Sequence, residues 1–221
     1  MQARDGREAL ISRIRAQSAV NDPFLGAASA TDFERDSALF PGERWSSVAF
    51  VSRTVDRAHE FEEYVFTAAD GARDPLPVGF MFERQDDGSS AARVYSDHHL
   101  VDDRAAILEP VEGIHPWRSE DDVLFAYFQA LNGNRLEDVL DIFQKDGYFR
   151  HSNGVAYTGR DELKGDFSKM MGDDGIRIRY CRFTDDGTTC AVECYMPSGR
   201  PAVAVYQRGE PGKLRAVRIY L

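Results

Sequence analysis

Apolar positions change their spacing along this chain. Over 119–131 they recur at helical intervals: Leu124, Tyr127, Phe128 and Leu131 fall at i, i+3, i+4 and i+7, one face of a helix. Ser119 reads as its N-cap, with Asp122 three residues on. A second helix follows at once. Asn134 caps it, Glu137 completes the box, Leu136, Val139, Leu140 and Phe143 form the stripe, and Gly133 permits the turn between the two. Residues 147–154 read as a short strand entering a turn, and Thr158-Gly-Arg-Asp-Glu-Leu163 opens a third helix running to about Met171. Beyond it the period drops to two. Strands are predicted near 176–184, 189–196, 201–208 and 214–220, broken by Asp185-Asp-Gly187 and Pro197-Ser-Gly199 and joined as an antiparallel meander.

The first half ends in the same way, with strands predicted near 46–55, 60–68, 77–84 and 91–96. Val78-Gly-Phe-Met-Phe-Glu-Arg84 and its sequel to Arg93-Val-Tyr95 parallel Ala202-Val-Ala-Val-Tyr-Gln-Arg208 and its sequel to Arg218-Ile-Tyr220. Such self-similarity indicates one architecture used twice. Asp5-Gly-Arg-Glu-Ala-Leu10 matches the opening of the third helix, so the first copy is expected to begin there, without a counterpart of the helix pair 119–144. Segment 19–45, with Pro23, Gly26, Pro41 and Gly42, stands in its place and holds a short helix near 32–39. Residues 97–118 read as a linker. The expected domains are 1–110, an incomplete unit of one helix and a four-strand sheet, and 111–221, a complete one. Without a helix pair the first sheet would expose Phe50, Phe61 and Phe82 unless segment 19–45, the second unit or another chain covers them.

Helix, helix, short strand, a helix opening on Gly-Arg-acidic, then a four-strand meander: this order resembles the nuclear transport factor 2-like superfamily, in its SnoaL-like and ketosteroid-isomerase-like branch. The residues that carry the resemblance are 127–136, 143–149, 157–163 and the closing strand 214–220. It covers 111–221, and reaches 1–100 only through the shared helix and sheet. The fold it implies is α+β, tandem cone-like units in which a curved antiparallel sheet wraps around helices and leaves a pocket inside. The activities it implies are those of cyclases, isomerases and dehydratases, alongside binding modules without turnover. The isomerase Tyr/Asp/Asp set and the epoxide hydrolase Asp-Arg-Asp set find no matching positions.

With 43% hydrophobic and 29% charged residues the chain reads as an ordinary globular protein. Its net charge of −10 disfavours a general nucleic-acid surface. No apolar run is long enough to span a bilayer, and the amino terminus lacks a signal-peptide core, so a cytoplasmic location without membrane partner is expected. A homodimer and a small apolar or aromatic molecule are the expected partners. Cys181, Cys190 and Cys194 read as buried free thiols, and neither a cofactor nor a metal is expected.

Strand parity sorts the candidate chemistry. Ala191, Glu193 and Tyr195 share one face of their strand and Cys190, Val192 and Cys194 the other. Tyr206, Arg218 and Tyr220 fall among the small and polar sets of theirs. In one reading Glu193, Tyr206, Arg218 and Tyr220 project into a cavity, where Glu193 takes a proton beside a carbonyl and Arg218 or a tyrosine steadies the enolate. In the other, Glu193 and Arg218 form a cross-strand ion pair, repeated by Arg93 and by Glu62 or Glu63. His151, after Tyr148-Phe149, is the candidate histidine for acid–base work. Tyr127, Tyr148, Tyr195, Tyr206 and Tyr220 are the candidate substrate contacts. Asp97-His-His99 points apart and offers no third ligand, His59 reads as a solvated turn residue, and His115 and Trp117 read as linker anchors. The acidic doublets at 86–87, 173–174 and 185–186 read as turn chemistry. No P-loop, dinucleotide fingerprint or serine-hydrolase elbow is present.

Overall fold

The computed structural model describes residues 6–23, 25–57, 59–71, 74–84, 87–97, 121–173 and 175–221. By contacts the chain divides into two compact units, Met1–Pro110 with Ser152–Gly154 and Tyr220–Leu221, and Val111–His151 with Val155–Ile219. His98, His99, His115, Trp117 and the proposed cap Ser119 lie outside the described residues.

In the first unit α1 (Arg7–Arg15) buries Leu10 and Ile14, four residues apart on one face. Segment 19–45 is not a plain cover. It supplies β1 (Ala19–Asp22), β2 (Gly26–Ala28) and α2 (Ala30–Asp36). Asp22 ties it together. Its carboxylate accepts the Leu25 amide at 2.9 Å and the Ser37 hydroxyl at 2.5 Å, while Ser29 caps α2 through the Asp32 amide at 3.0 Å. The meander follows as β3 (Trp45–Val55), β4 (His59–Ala68), β5 (Leu76–Arg84) and β6 (Ser90–Ser96). The sheet has six strands in the order β2-β1-β6-β5-β4-β3, with β1 parallel to β6. Among the described residues the expected four-strand sheet is thus corrected to six strands, while the short helix expected near 32–39 is α2. Three- and four-residue strands are too short to show a period of two, which is why β1 and β2 read as loop. Phe33, Leu39, Phe40 and Trp45 from segment 19–45 join Phe66 and Phe80 in the core. Phe61 and Phe82 are buried, and Phe50 is half exposed. Gly79 stands opposite Glu63 because the Phe61 ring would lie 2.3 Å from any Cβ there.

The second unit opens with α3 (Val123–Asn132), whose cap is Asp122 accepting the Leu124 amide at 2.9 Å. Then comes α4 (Leu136–Ile142). Asn134 does not cap it. That residue takes a positive φ of 53° and donates its side-chain amide to the Asp173 carbonyl at 2.9 Å. After β7 (Phe143–Arg150) and β8 (Ala156–Thr158), α5 (Arg160–Met171) begins where the Glu162 carboxylate accepts the Thr158 amide at 2.8 Å. The closing meander is β9 (Arg179–Asp185), β10 (Thr189–Tyr195), β11 (Pro201–Arg208) and β12 (Leu214–Tyr220). Strand order is β8-β7-β12-β11-β10-β9, the same permutation as in the first sheet, again with one parallel pair, β7 and β12. Both sheets are therefore mixed rather than wholly antiparallel. The shared order also corrects the helix correspondence. α2, lying between a short hairpin and the meander, takes the place of α5, and α1 precedes its hairpin as α4 does. The Gly-Arg-acidic opening common to 5–10 and 158–163 therefore carries no topology.

Candidate functional site

Register decides which side chains the second unit can bring together. Cys190 stands opposite Tyr206, Val192 opposite Ala204 and Glu193 opposite Val203. Tyr206 therefore shares a face with Cys190 and Val192, and Glu193 occupies the other face. Arg218 joins Glu193's side, donating to Gln207 at 3.3 Å, and Tyr148 faces that way too, opposite Ala216. Glu193 is fully buried, with Arg182 Nε 4.0 Å from its carboxylate. The expectation that Glu193, Tyr206, Arg218 and Tyr220 share one cavity is overturned by this pairing. Tyr195 is half-buried under the guanidinium of Arg179, 4.3 Å from its ring centre, and Tyr220 is buried at the end of β12.

The core-facing side is a cluster of rings. Tyr127 and Phe128 on α3 meet Tyr206, Phe128 lies 4.1 Å from Tyr180, and Phe143 and Phe149 meet Phe167 of α5. At its edge stands His151, just past β7, its ring edge-on to Phe149 and Tyr157. Its Nε2 lies 2.9 and 3.0 Å from the two carboxylate oxygens of Asp166. Asp166 is buried on α5, while the imidazole keeps about a quarter of its surface exposed. A carboxylate on Nε2 accepts that N–H and leaves Nδ1 as the basic nitrogen. Burial first, and then the field of Asp166, hold the Tyr127 phenol above its ordinary value, so it stays a neutral donor.

Asp166 was missed in the sequence, although a signal is there. Leu163, Asp166, Phe167 and Met171 are the buried residues of α5, so a carboxylate interrupts an otherwise apolar helical stripe. A separate cleft of about 410 Å³ in this unit is lined by Asp122, Arg208, Lys213 and the turn between β11 and β12, and none of the expected site residues lines it.

The first unit holds a second cluster. Glu60, Glu62 and Tyr64 stand opposite Phe82, Phe80 and Val78 on the core-facing side of β4. Arg13 of α1 reaches across with one nitrogen, Nη1, to Glu60 at 2.5 Å and Glu62 at 2.6 Å, and its guanidinium covers Phe82 at 4.0 Å. Arg53 also pairs with Glu60, and the Tyr64 hydroxyl donates to Glu62 at 2.7 Å. Burial raises the Glu62 carboxyl above the ordinary glutamate range in spite of Tyr64 and Arg13. Burial works the same way on Glu60, but hydrogen bonds from Arg13 and Arg53 outweigh it and lower that group. The ambiguity between Glu62 and Glu63 resolves as well. Glu63 opposite Gly79 matches Glu193 opposite Val203. His59 is half-buried between Asp56 and Glu83 rather than solvated. The three cysteines are buried, and none is in a disulfide.

Residues 124–220 match the SnoaL-like domain. These residues fall mostly in the second unit, which is similar to a SnoaL-like domain. Solved structures similar to this chain include a hypothetical protein with a ketosteroid isomerase-like fold from Catenulispora acidiphila, in complex with trimethylamine. It is 14% identical, with 45% of this chain and 85% of that one covered and a TM-score of 0.37. A SnoaL-like protein of unknown function from Burkholderia thailandensis is 13% identical over 48% of this chain and 99% of its own, with a TM-score of 0.39. An LEH-like epoxide hydrolase of M. tuberculosis is 15% identical over 45% and 80%, with a TM-score of 0.38. No curated protein matches the chain by sequence. Among the described residues no helix is long and apolar enough to cross a membrane, and no group of three or more His, Cys, Asp or Glu could hold a metal ion.

Proposed function

We propose that the chain is a small-molecule enzyme of cyclase, isomerase or dehydratase type, built as two tandem units, whose second unit moves a proton with His151. One observation carries this reading: the 2.9 Å contact between a partly exposed imidazole and a buried carboxylate. Asp166 sets the tautomer and steadies the imidazolium once a proton has been taken. His151 then works as base at Nδ1 toward an apolar or aromatic carbonyl compound, with the proton returned to the product. Glu193 and Arg218, on the other face of the sheet, are assigned to structure.

Proton abstraction beside a carbonyl can be followed without knowing the natural substrate. A panel of cyclic and aromatic ketones in deuterium oxide, incubated with the protein, is read by NMR for exchange at the α-carbon. Exchange above buffer, reduced about 10²-fold or more in His151→Asn and by a lesser factor in Asp166→Asn, with nearly unchanged melting, is the expected result. Exchange that survives in His151→Asn, or none above buffer for any ketone, would falsify the assignment. A second reading, a ligand-binding or dimerisation module without turnover, draws on the contiguous rings of Tyr127, Phe128, Tyr180 and Tyr206. Under that reading the panel shows binding without exchange.

A further inference from the structure

At the end of the first unit's sheet, where β3 turns into β4 and β5 into β6, lies a cleft of about 370 Å³. Arg13, Asp56, Arg57, His59, Glu83 and Arg84 are among its lining residues. Two of its carboxylates already have arginines of the fold. Glu60 has Arg13 and Arg53, and Glu83 has Arg93 at 2.7 Å with the His59 imidazole at 3.6 Å. Asp56 accepts the His59 amide at 2.9 Å and faces the same imidazole at 3.3 Å. Arg57 and Arg84 are different. Both are exposed, and among the described residues neither has an ion pair or hydrogen bond. Both lie just past the last rung that β4 shares with β5, the pairing of His59 with Glu83.

Two guanidinium groups that share a concavity repel each other, and an oxyanion between them turns repulsion into charge-assisted, two-pronged hydrogen bonds. In a chain of net charge −10 such a spot is local and does not belong to a broad basic field. We infer that this cleft binds a small organic oxyanion, a carboxylate or a phosphate monoester, gripped by Arg57 and Arg84. The site lies outside residues 124–220 and is independent of His151.

The test follows the arginine Nε–Hε resonances of the full chain at low ionic strength while benzoate, phenyl phosphate or neutral benzyl alcohol is added. Saturable shifts at Arg57 and Arg84 with at least one anion and none with the alcohol are expected. In the double variant R57Q/R84Q the dissociation constant should rise about tenfold or more. Both side chains are exposed, so the variant keeps its fold, and His151→Asn should bind the anion as the parent does. A response to benzoate alone assigns the site to carboxylates, and one to phenyl phosphate alone to monoesters. No saturation by either anion, equal response to the alcohol, or unchanged binding by R57Q/R84Q overturns the inference.

Discussion

At three matched positions of the two sheets, β4 carries Glu60, Glu62 and Tyr64 where β10 carries Cys190, Val192 and Cys194. The strands opposite differ in bulk. The first unit places Phe82, Phe80 and Val78 there, and the second Tyr206, Ala204 and Ala202. Strand order is the same in both, so the exchange is one of side chains on a common frame. In the first unit the titratable groups stand on the sheet and α1 supplies their cation. In the second the sheet is apolar, and the polar pair has moved to the end of β7 and the buried stripe of α5. Such a frame tolerates a buried charge where a neighbouring element brings its counter-charge.

The sharpest way to break this comparison is to exchange the matched residues. Val192 is fully buried in an apolar cluster, and among the described residues no ion pair places a cation there in the way Arg13 serves Glu62. Near pH 7, Val192→Glu should cost about 4 kcal/mol: a carboxyl raised past neutrality folds protonated, so the cost is set by the ~2.7 units between the ordinary glutamate value and pH 7. Glu62→Val should cost less, about 1–3 kcal/mol, mainly because the buried Tyr64 hydroxyl loses its acceptor while Arg13 keeps Glu60. Denaturant midpoints of the two variants decide. Equal costs would mean that the partner on α1 is not what lets the first unit hold its charge.

A smaller effect sharpens the same contrast through pH. The folded Glu62 carboxyl is raised, so it binds its proton more tightly than in the unfolded chain. Its contribution is complete below the ordinary value of 4.5 and is lost as pH rises through the folded value. Glu60 is lowered, so its contribution is present above 4.5 and lost as pH falls through its folded value. Together they put a maximum near the ordinary glutamate value, with the alkaline limb belonging to Glu62. Glu62→Gln should flatten that limb, making the variant gain on the parent as pH climbs from 4.5 toward neutrality in urea titrations. Parallel curves for the two proteins would remove burial of Glu62 as the cause.

How far the sequence reached depends on the range of the interactions involved. The two meanders were legible almost to the residue because a period of two and glycine turns are local signals. β1, β2 and β8 were not, since three or four residues give no period. His151 stood out by chemical type, but its partner Asp166 is identified only when α5 is laid out as a stripe with a carboxylate among Leu163, Phe167 and Met171. The charged cluster of the first unit was beyond reach for another reason. In His59-Glu-Phe-Glu-Glu-Tyr64 both faces carry carboxylates, so parity cannot choose between them, and Arg13 meets Glu60 across 47 positions of chain. Assigning Glu193 and Tyr206 to one cavity failed because parity within a strand does not supply the register between strands.

The weakest expected effect lies on the helix surfaces, where the two units look most alike. Arg160 of α5 bridges Asp141 and Glu137, with Lys164 also on Glu137, and Arg15 of α1 pairs with Glu34 of α2. Both networks raise the arginine and lower a glutamate through hydrogen bonds, in full contact with water. Solvent screening and the entropy of holding long side chains offset nearly all of the attraction between exposed ions. Arg160→Ala and Arg15→Ala should therefore leave denaturant midpoints unresolved from the parent at physiological salt, unlike any change at Val192 or Glu62. A clear loss in Arg160→Ala alone would show that the second unit draws on its surface charges where the first draws on its buried ones, and the contrast between the units would have to be moved from their interiors to their helices.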